Sequence, residues 1–554
     1  MESQRFIDGS RHAPLGLGWF SRLCRDPVAW LIAGVTLARV AYLLWLCPYE
    51  LVEDEAHYWE WSRRLGLSYY SKGPGVAWAI ALSTWVLGTS EAAVRMPSVV
   101  ASAVSTAAVA ALARDVSGFR RAGFVAACLF NLAPVFQFTS LLMTIDSPYI
   151  ACWSVAAWAG WRARSGPGPV AAWGALLGAA VGAGFLFKYT VLLIIPGIVV
   201  GWWWSARLGR GHAPPARRVT IGGCLAAMAA FAALSWPVAV WNARQGWPTV
   251  RHLLGHLGVR GGDVPVPQAG SGGWSYNPVW TLELVGLQAL LLGAVTAVIV
   301  GSVAWFMTRG RRTTMGPGGA YLVGCAAPVL VFYLGVTFFT RAEGNWPMAA
   351  FPTLLALAGA WILVERGVPG AARSQAPGPR GSRGFAESSW RASVWAGIIF
   401  GVLMLRADLL ARIPLIGPAI PLGRLLGGRE QARHVDELTS QLRRVTGLEP
   451  MVVIQHYGQA SRVAFYRAGR EVVFCASSLN SGRRTQYDYW PDTDLHDAAL
   501  LGRPGVLIGG LEGQWRRAFE RVELIGQVRG ESKKDRQAFL GFGYKGYGSS
   551  GAGG

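Results

Sequence analysis

Apolar residues run almost unbroken through a series of stretches at roughly 28–47, 94–113, 119–140, 147–161, 170–187, 190–206, 219–241, 279–307, 319–340, 347–364 and 392–411. Most approach the ~20 residues an α-helix needs to cross a bilayer. The polar positions between them are few and rich in arginine. From about Gly427 the pattern changes. Arg429–Thr446 has the period of an amphipathic helix, and short β-rich runs follow at 451–457, 463–468, 471–476 and 505–510. The pattern predicts a polytopic α-helical membrane protein with about eleven transmembrane helices and a small C-terminal α/β domain. It divides the chain into a tail (1–27), a membrane domain (28–412), a soluble domain (427–540) and a disordered tail (541–554).

One short apolar stretch, Val76–Leu87, decides the sidedness of everything after it. If it does not cross, the N-terminus is cytoplasmic and residues 48–91 form a first outer loop. The clusters Arg114/Arg120/Arg121, Arg162/Arg164, Arg207/Arg210/Arg217/Arg218, Arg309/Arg311/Arg312 and the linker 365–391 then all fall inside. Positive charge in short loops prefers that side. Residues 56–65 and 76–87 are therefore expected as helices lying in the outer interface, with Trp59, Trp61, Trp78 and Trp85 in its aromatic belt. The C-terminal domain falls outside too, as does the 242–278 loop.

Composition narrows the class. Of 554 residues 52% are hydrophobic and only 15% charged, well below a soluble domain. The net charge of +21 does not indicate nucleic acid, because lysine is scarce and the arginines sit in the loops that set topology. Seven scattered cysteines suggest neither a disulfide framework nor a zinc site. The first 27 residues are polar for too long to be a cleaved leader.

Against this background the acids stand out. Glu53, Asp54 and Glu55 follow the first span in LVEDEAHYWEWSRRLGLSYYSKGPG. Capping the helix that follows explains one of them. A general base beside an apolar surface explains Asp54 better, with Glu55 in support. Asp146, in TIDSPY, is the only acid between Asp115 and Glu283 apart from Asp263, and it makes a second candidate. Lys72, Lys188 and Arg341 offer cations at the same outer face, suited to a phosphate. Candidate substrate contacts are His57, Tyr58, Tyr70, Asn242, Glu343, Asn345 and Trp346. His57, with the His252/His256 pair, is too small a ligand cluster for a metal site.

These motifs, with GTSEAAVRMPS, FKYT, WNARQGW and EGNWPMAAFP, resemble the bacterial branch of glycosyltransferase family 39 over about residues 28–365. This branch is related to dolichyl-phosphate-mannose-protein mannosyltransferases and to the lipid A aminoarabinose transferase. The resemblance implies a GT-C membrane fold. It assigns catalysis to Asp54-Glu55 and the second acid to Asp146. It gives Lys72 and Arg95 to the donor phosphate and matches the family's Lys-Tyr pair to Lys188-Tyr189. A glutamate that the aminoarabinose transferase uses near a metal is missing here, so zinc is not carried over; a divalent metal stays possible but unsupported, and no cofactor is certain.

The implied activity is transfer of a sugar from a polyprenyl-phosphate donor to a cell-envelope lipid, glycan or protein. It takes place on the outer face of the bacterial inner membrane, by an inverting displacement with Asp54 as base. No nucleotide-binding motif is present, as such a donor allows. A transporter for lipid-linked saccharides is the competing class, and a non-catalytic GT-C subunit is the other. The first would place charges near the midplane with repeated, broken helices. Here they cluster at one face and no repeat is visible.

Overall fold

The computed structural model describes residues 26–209, 220–256, 276–368, 380–414, 417, 420, 422–480, 482–528 and 536–547. The expected N-terminal tail up to residue 25, residues 210–219 and 257–275 of two loops, the linker segment 369–379 and the final residues 548–554 lie outside the described residues.

Each predicted span is helical, but the helices differ in length. Among the described residues seven are long and apolar enough to cross a membrane: Pro27–Leu46, Glu91–Ser117, Tyr189–Leu208, Ile221–Gln245, Gly316–Val336, Trp346–Glu365 and Gly381–Leu405. The single span expected at 279–307 is instead two helices, Pro278–Leu292 and Val295–Thr308, bent by 109°. The break falls at Gly293, whose φ of +57° only glycine adopts at little cost. Counting this pair as one span gives up to eight. Arg120–Leu132 and Val170–Phe185 are shorter than the bilayer thickness requires, and Asp146–Ser165 joins them in the bundle.

The Phe351–Glu365 helix is the axis of this bundle and is buried along nearly its whole length. Large apolar side chains point outward from the peripheral helices, among them Trp30, Leu37, Trp203, Leu282 and Val402, as a lipid-facing surface requires. Helices approach closely where side chains are small. A Cβ on Gly178 would fall 1.9 Å from the Ala227 carbonyl oxygen, so only glycine lets these two backbones meet.

The C-terminal domain opens with the Gly428–Thr446 helix, as the periodicity predicts. Its five-stranded sheet has the order β2-β1-β3-β5-β4. β1 (Met451–Ile454) pairs in parallel with β2 (Phe474–Cys475) and β3 (Gly505–Ile508). β4 (Phe519–Val528) and β5 (Arg536–Tyr544) add an antiparallel hairpin beside β3. Two features correct the sequence reading. The run 463–468, expected as a strand, is instead the end of the Tyr457–Tyr466 helix and the turn after it, because its neighbours supply a helical face that buries Ala460, Val463 and Ala464. β5 also continues to Tyr544, into the segment expected as a disordered tail.

This domain is not a separate module. Leu51, Trp59 and Trp61 of the first loop share one apolar cluster with Val435, Val463, Trp490 and Ile508 of the domain. The helix Glu53–Ser62, expected on the membrane surface, is instead clasped between bundle and domain, with Trp59 and Trp61 buried. Polar bonds fix the seam. Tyr70 N donates to Gln486 Oε1 (2.7 Å), Leu51 N donates to Tyr466 Oη (2.8 Å), and Arg64 clamps Asp492 through contacts of 2.6–3.0 Å.

Candidate active site

A cavity of about 170 Å³ opens between the first loop and the C-terminal domain, with His252 of the short Pro248–His256 helix at its edge. Asp54, Tyr58 and His57 reach it from the Glu53–Ser62 helix, Tyr70 and Lys72 from the loop that follows, and Arg483 from the domain.

Adjacent residues on one helix have opposite fates. Glu55 is fully buried and its carboxylate is saturated. Arg95 grips it with two parallel bonds of 2.9 and 2.8 Å, Met143 N donates at 2.8 Å and Val52 N at 3.1 Å. Arg95 spends its other donors on the carbonyls of Tyr49 (2.9 Å) and Glu50 (2.7 Å). Glu55 and Arg95 therefore lock the first loop to the Glu91–Ser117 helix and face each other instead of the cavity.

Asp54 points the other way and is exposed to the cavity, although protein surrounds it deeply. Burial, then the neighbouring Glu53 carboxylate, raises the Asp54 carboxyl above the usual carboxylate value, and Lys72 and Arg483 moderate the rise. Glu53 itself lies 3.2 Å from His456 Nδ1.

The second acid has a different environment. Asp146 starts the Asp146–Ser165 helix and binds Lys188 Nζ through Oδ1 (2.9 Å) and Asn345 Nδ2 through Oδ2 (2.8 Å). Three segments far apart in sequence thus converge on one carboxylate. Lys188 also lies 5.2 Å over the Tyr149 ring.

Lys72 joins these groups because its loop rests on the Lys188 segment. Gly75 N donates to Leu186 O (3.0 Å), and a Cβ on Gly73 would meet that oxygen at 2.4 Å. The Lys72 carbonyl closes the turn by accepting from Tyr69 N (3.1 Å) and Ser68 Oγ (3.2 Å). Burial, then the nearby Lys188, lowers the Lys72 ammonium to about 8, against the pull of Asp146 and Asp54.

Other sequence candidates hold structure. His57 accepts from Trp61 Nε1 at Nε2 (3.1 Å) and pairs through Nδ1 with Ser461 Oγ (3.0 Å). Burial, then Arg483 and His456, lowers its pKa to about 3, so it is a neutral ring at working pH. Asn242 closes the turn after the Ile221–Gln245 helix, its Oδ1 accepting from Thr249 N (3.3 Å). Arg341 is exposed and paired with Glu283, and Glu343 is exposed as well. Tyr189 is half-buried beside Phe185, and the Trp346 ring lies 5.6 Å from Tyr333. Tyr70 stacks at 5.7 Å on Tyr489 of the C-terminal domain and lies 4.9 Å from His252.

Sequence reasoning missed the wall that the domain supplies, namely Tyr457, Arg483, Arg484 and Gln486. The adjacent arginines in SGRRTQYDYW were the available signal. Nothing in the pattern says that this loop folds back over the first one.

The family described as dolichyl-phosphate-mannose-protein mannosyltransferase matches residues 71–241. The lipid A galacturonosyltransferase RgtD of Rhizobium johnstonii is 26% identical over 345 residues, 60% of this chain and 64% of that protein. The undecaprenyl phosphate-alpha-4-amino-4-deoxy-L-arabinose arabinosyl transferase 2 of Proteus mirabilis is 26% identical over 404 residues, 69% of this chain and 66% of that one. The chain thus spans just under two thirds of the length of each. Among solved structures, ArnT from Cupriavidus metallidurans in the apo state superposes with a TM-score of 0.59 at 15% identity, covering 92% of this chain and 98% of ArnT. The same protein bound to undecaprenyl phosphate gives 0.58 at 15% identity, covering 93% and 98%. In sequence over its membrane half, and in fold over nearly its whole length, this chain is similar to bacterial GT-C glycosyltransferases of the dolichyl-phosphate-mannose-protein mannosyltransferase-like branch.

Proposed function

We propose that the protein is an integral-membrane glycosyltransferase that moves a sugar from a polyprenyl-phosphate donor to a hydroxyl of a cell-envelope acceptor. The observation that carries this reading is the Asp54–Lys72 constellation in the cavity. It joins a carboxylate of raised proton affinity, open to a substrate, to a half-buried ammonium beside the membrane helices. The relatives named above support it, since their names give undecaprenyl-phosphate-linked sugars or lipid A.

Asp54 takes the proton of the acceptor hydroxyl as its oxygen attacks the anomeric carbon. The bond from that carbon to the donor phosphate oxygen breaks, and the polyprenyl phosphate leaves as a monoester. Lys72 stabilises the charge that develops on it. Lys188, held by Asp146, whose other oxygen accepts from Asn345, keeps a second cation near. Attack opposite to the leaving group inverts the anomeric centre.

In this reading the Arg-rich loops are cytoplasmic, as is the N-terminus, and the shorter helices complete about eleven crossings of the inner membrane. The cavity and the C-terminal domain then face outward. The relatives' names include a uronic acid and an amino sugar, which carry opposite charges at neutral pH, so the cavity of this chain sets its own sugar.

The test is label transfer by purified protein from a panel of radiolabelled polyprenyl-phosphate hexoses, uronates and pentoses to total cell-envelope acceptor. Donor-dependent transfer is expected. Bound donor without transfer from any member would favour a carrier or assembly role instead.

A further inference from the structure

The cavity holds more positive charge than the proposed reaction uses. Lys72, Arg483 and Arg484 all line it, and the transfer reading assigns only Lys72 and the neighbouring Lys188 to the donor phosphate. The nearby acids are occupied elsewhere. Asp54 acts as the base, Asp146 is bound to Lys188 and Asn345, and Glu53 lies against His456. Among the described residues neither Arg483 nor Arg484 forms an ion pair.

Arg483 is held without a direct ion pair among the described residues, with Asp54 as a more distant carboxylate. Its Nη2 donates to Tyr457 Oη (2.6 Å), and its guanidinium lies 4.7 Å over the same ring. The Tyr457 ring is itself packed 4.7 Å from His57. The loop behind the arginines is fixed on both sides. Thr485 N donates to Asp488 Oδ2 (2.5 Å), and Gln486 Oε1 accepts from Tyr70 N (2.7 Å). Two guanidinium groups are thus presented to a cavity by a braced loop, and guanidinium geometry matches carboxylate and phosphate oxygens. Their position differs from that of Lys72, which sits on the Leu186–Lys188 segment where the membrane helices begin.

We propose that Arg483 and Arg484 form a second anion subsite, built by the C-terminal domain, for an oxyanion other than the donor's lipid phosphate. That oxyanion is a carboxylate on the transferred sugar or a phosphate next to the attacked hydroxyl of the acceptor. The assignment of its owner rests on the glycosyl-transfer reading, whereas the subsite itself is tested by binding alone.

The experiment titrates full-length protein in detergent micelles, as wild type, Arg483→Gln, Arg483→Lys and Arg484→Gln, by calorimetry. One pair of probes is neryl-phosphate galacturonate and neryl-phosphate galactose. The other is a phosphorylated glucosamine glycolipid and its dephosphorylated counterpart. Loss of a charge-assisted bidentate bond predicts a roughly 10- to 100-fold weaker affinity of Arg483→Gln for the charged member of one pair. The neutral member changes less than about threefold, and Arg483→Lys recovers part of the loss. The donor pair responding assigns the oxyanion to the sugar, and the acceptor pair responding assigns it to the acceptor. Equal losses for charged and neutral members, or no loss in either pair, overturn the proposal. Discrimination in binding without turnover from any donor would leave the subsite standing and remove the transfer reading.

Discussion

At the scale of single residues, neighbours in EDEA divide the work by direction. Glu55 is paired inside the protein and Asp54 faces the cavity. Glu55→Ala leaves the Arg95 guanidinium buried without its partner, which costs about 3–5 kcal/mol. We expect a lowered unfolding midpoint in detergent by thermal shift, with loss of activity following loss of fold. The reaction itself has a sign-determined pH dependence. Asp54 works only when deprotonated, so the acid limb of kcat/KM lies above the usual carboxylate value, because burial raises its pKa. Lys72 works only when charged, so the rate falls as pH rises through about 8. Lys72→Arg, whose charge persists, moves the basic limb upward and leaves the acid limb in place. A basic limb unmoved in that variant would take Lys72 off the phosphate.

At the scale of elements, small residues set the site. The Lys72 loop and the Lys188 segment touch through Gly73, where a Cβ would lie 2.4 Å from the Leu186 carbonyl oxygen. Gly73→Ala must therefore push the two segments apart. We expect transfer to drop at least tenfold, since displacement of a positioned group by about 1 Å is that costly. The unfolding midpoint should change far less. Much of this element scale was legible beforehand. The apolar runs located the helices, and loop charge put Asp54, Asp146, Lys72 and Lys188 at one face. The bend at Gly293 was not legible, because a lone glycine in an apolar run is also tolerated in a straight helix. Nor was the helix at 457–466, since a short apolar run fits either period.

At the scale of the whole molecule, the site is a junction. The bundle supplies Asp146, Lys188 and Asn345, the first loop supplies Asp54 and Lys72, and the C-terminal domain closes the far wall with Arg483. Sequence pattern reads local periodicity, so it found the bundle, the loop and the domain but missed Arg483, and it could not show that the domain folds back onto the loop. That docking depends on long-range contacts such as His57 with Ser461 and Tyr70 with Gln486. It also explains why Trp59 and Trp61, which suited a membrane interface, are instead buried by protein.

The most direct test of the account is the rate of sugar transfer from a polyprenyl-phosphate donor by wild type and by Asp54→Asn, at equal amounts of folded protein. Removing a charge that is only partly compensated by Lys72 and Arg483 should leave the variant at least as stable, because the folded state favours the protonated carboxyl and the penalty is full above its raised pKa. The account predicts a loss of about 10²- to 10⁴-fold in rate with donor binding retained. Transfer by Asp54→Asn within tenfold of wild type would contradict it.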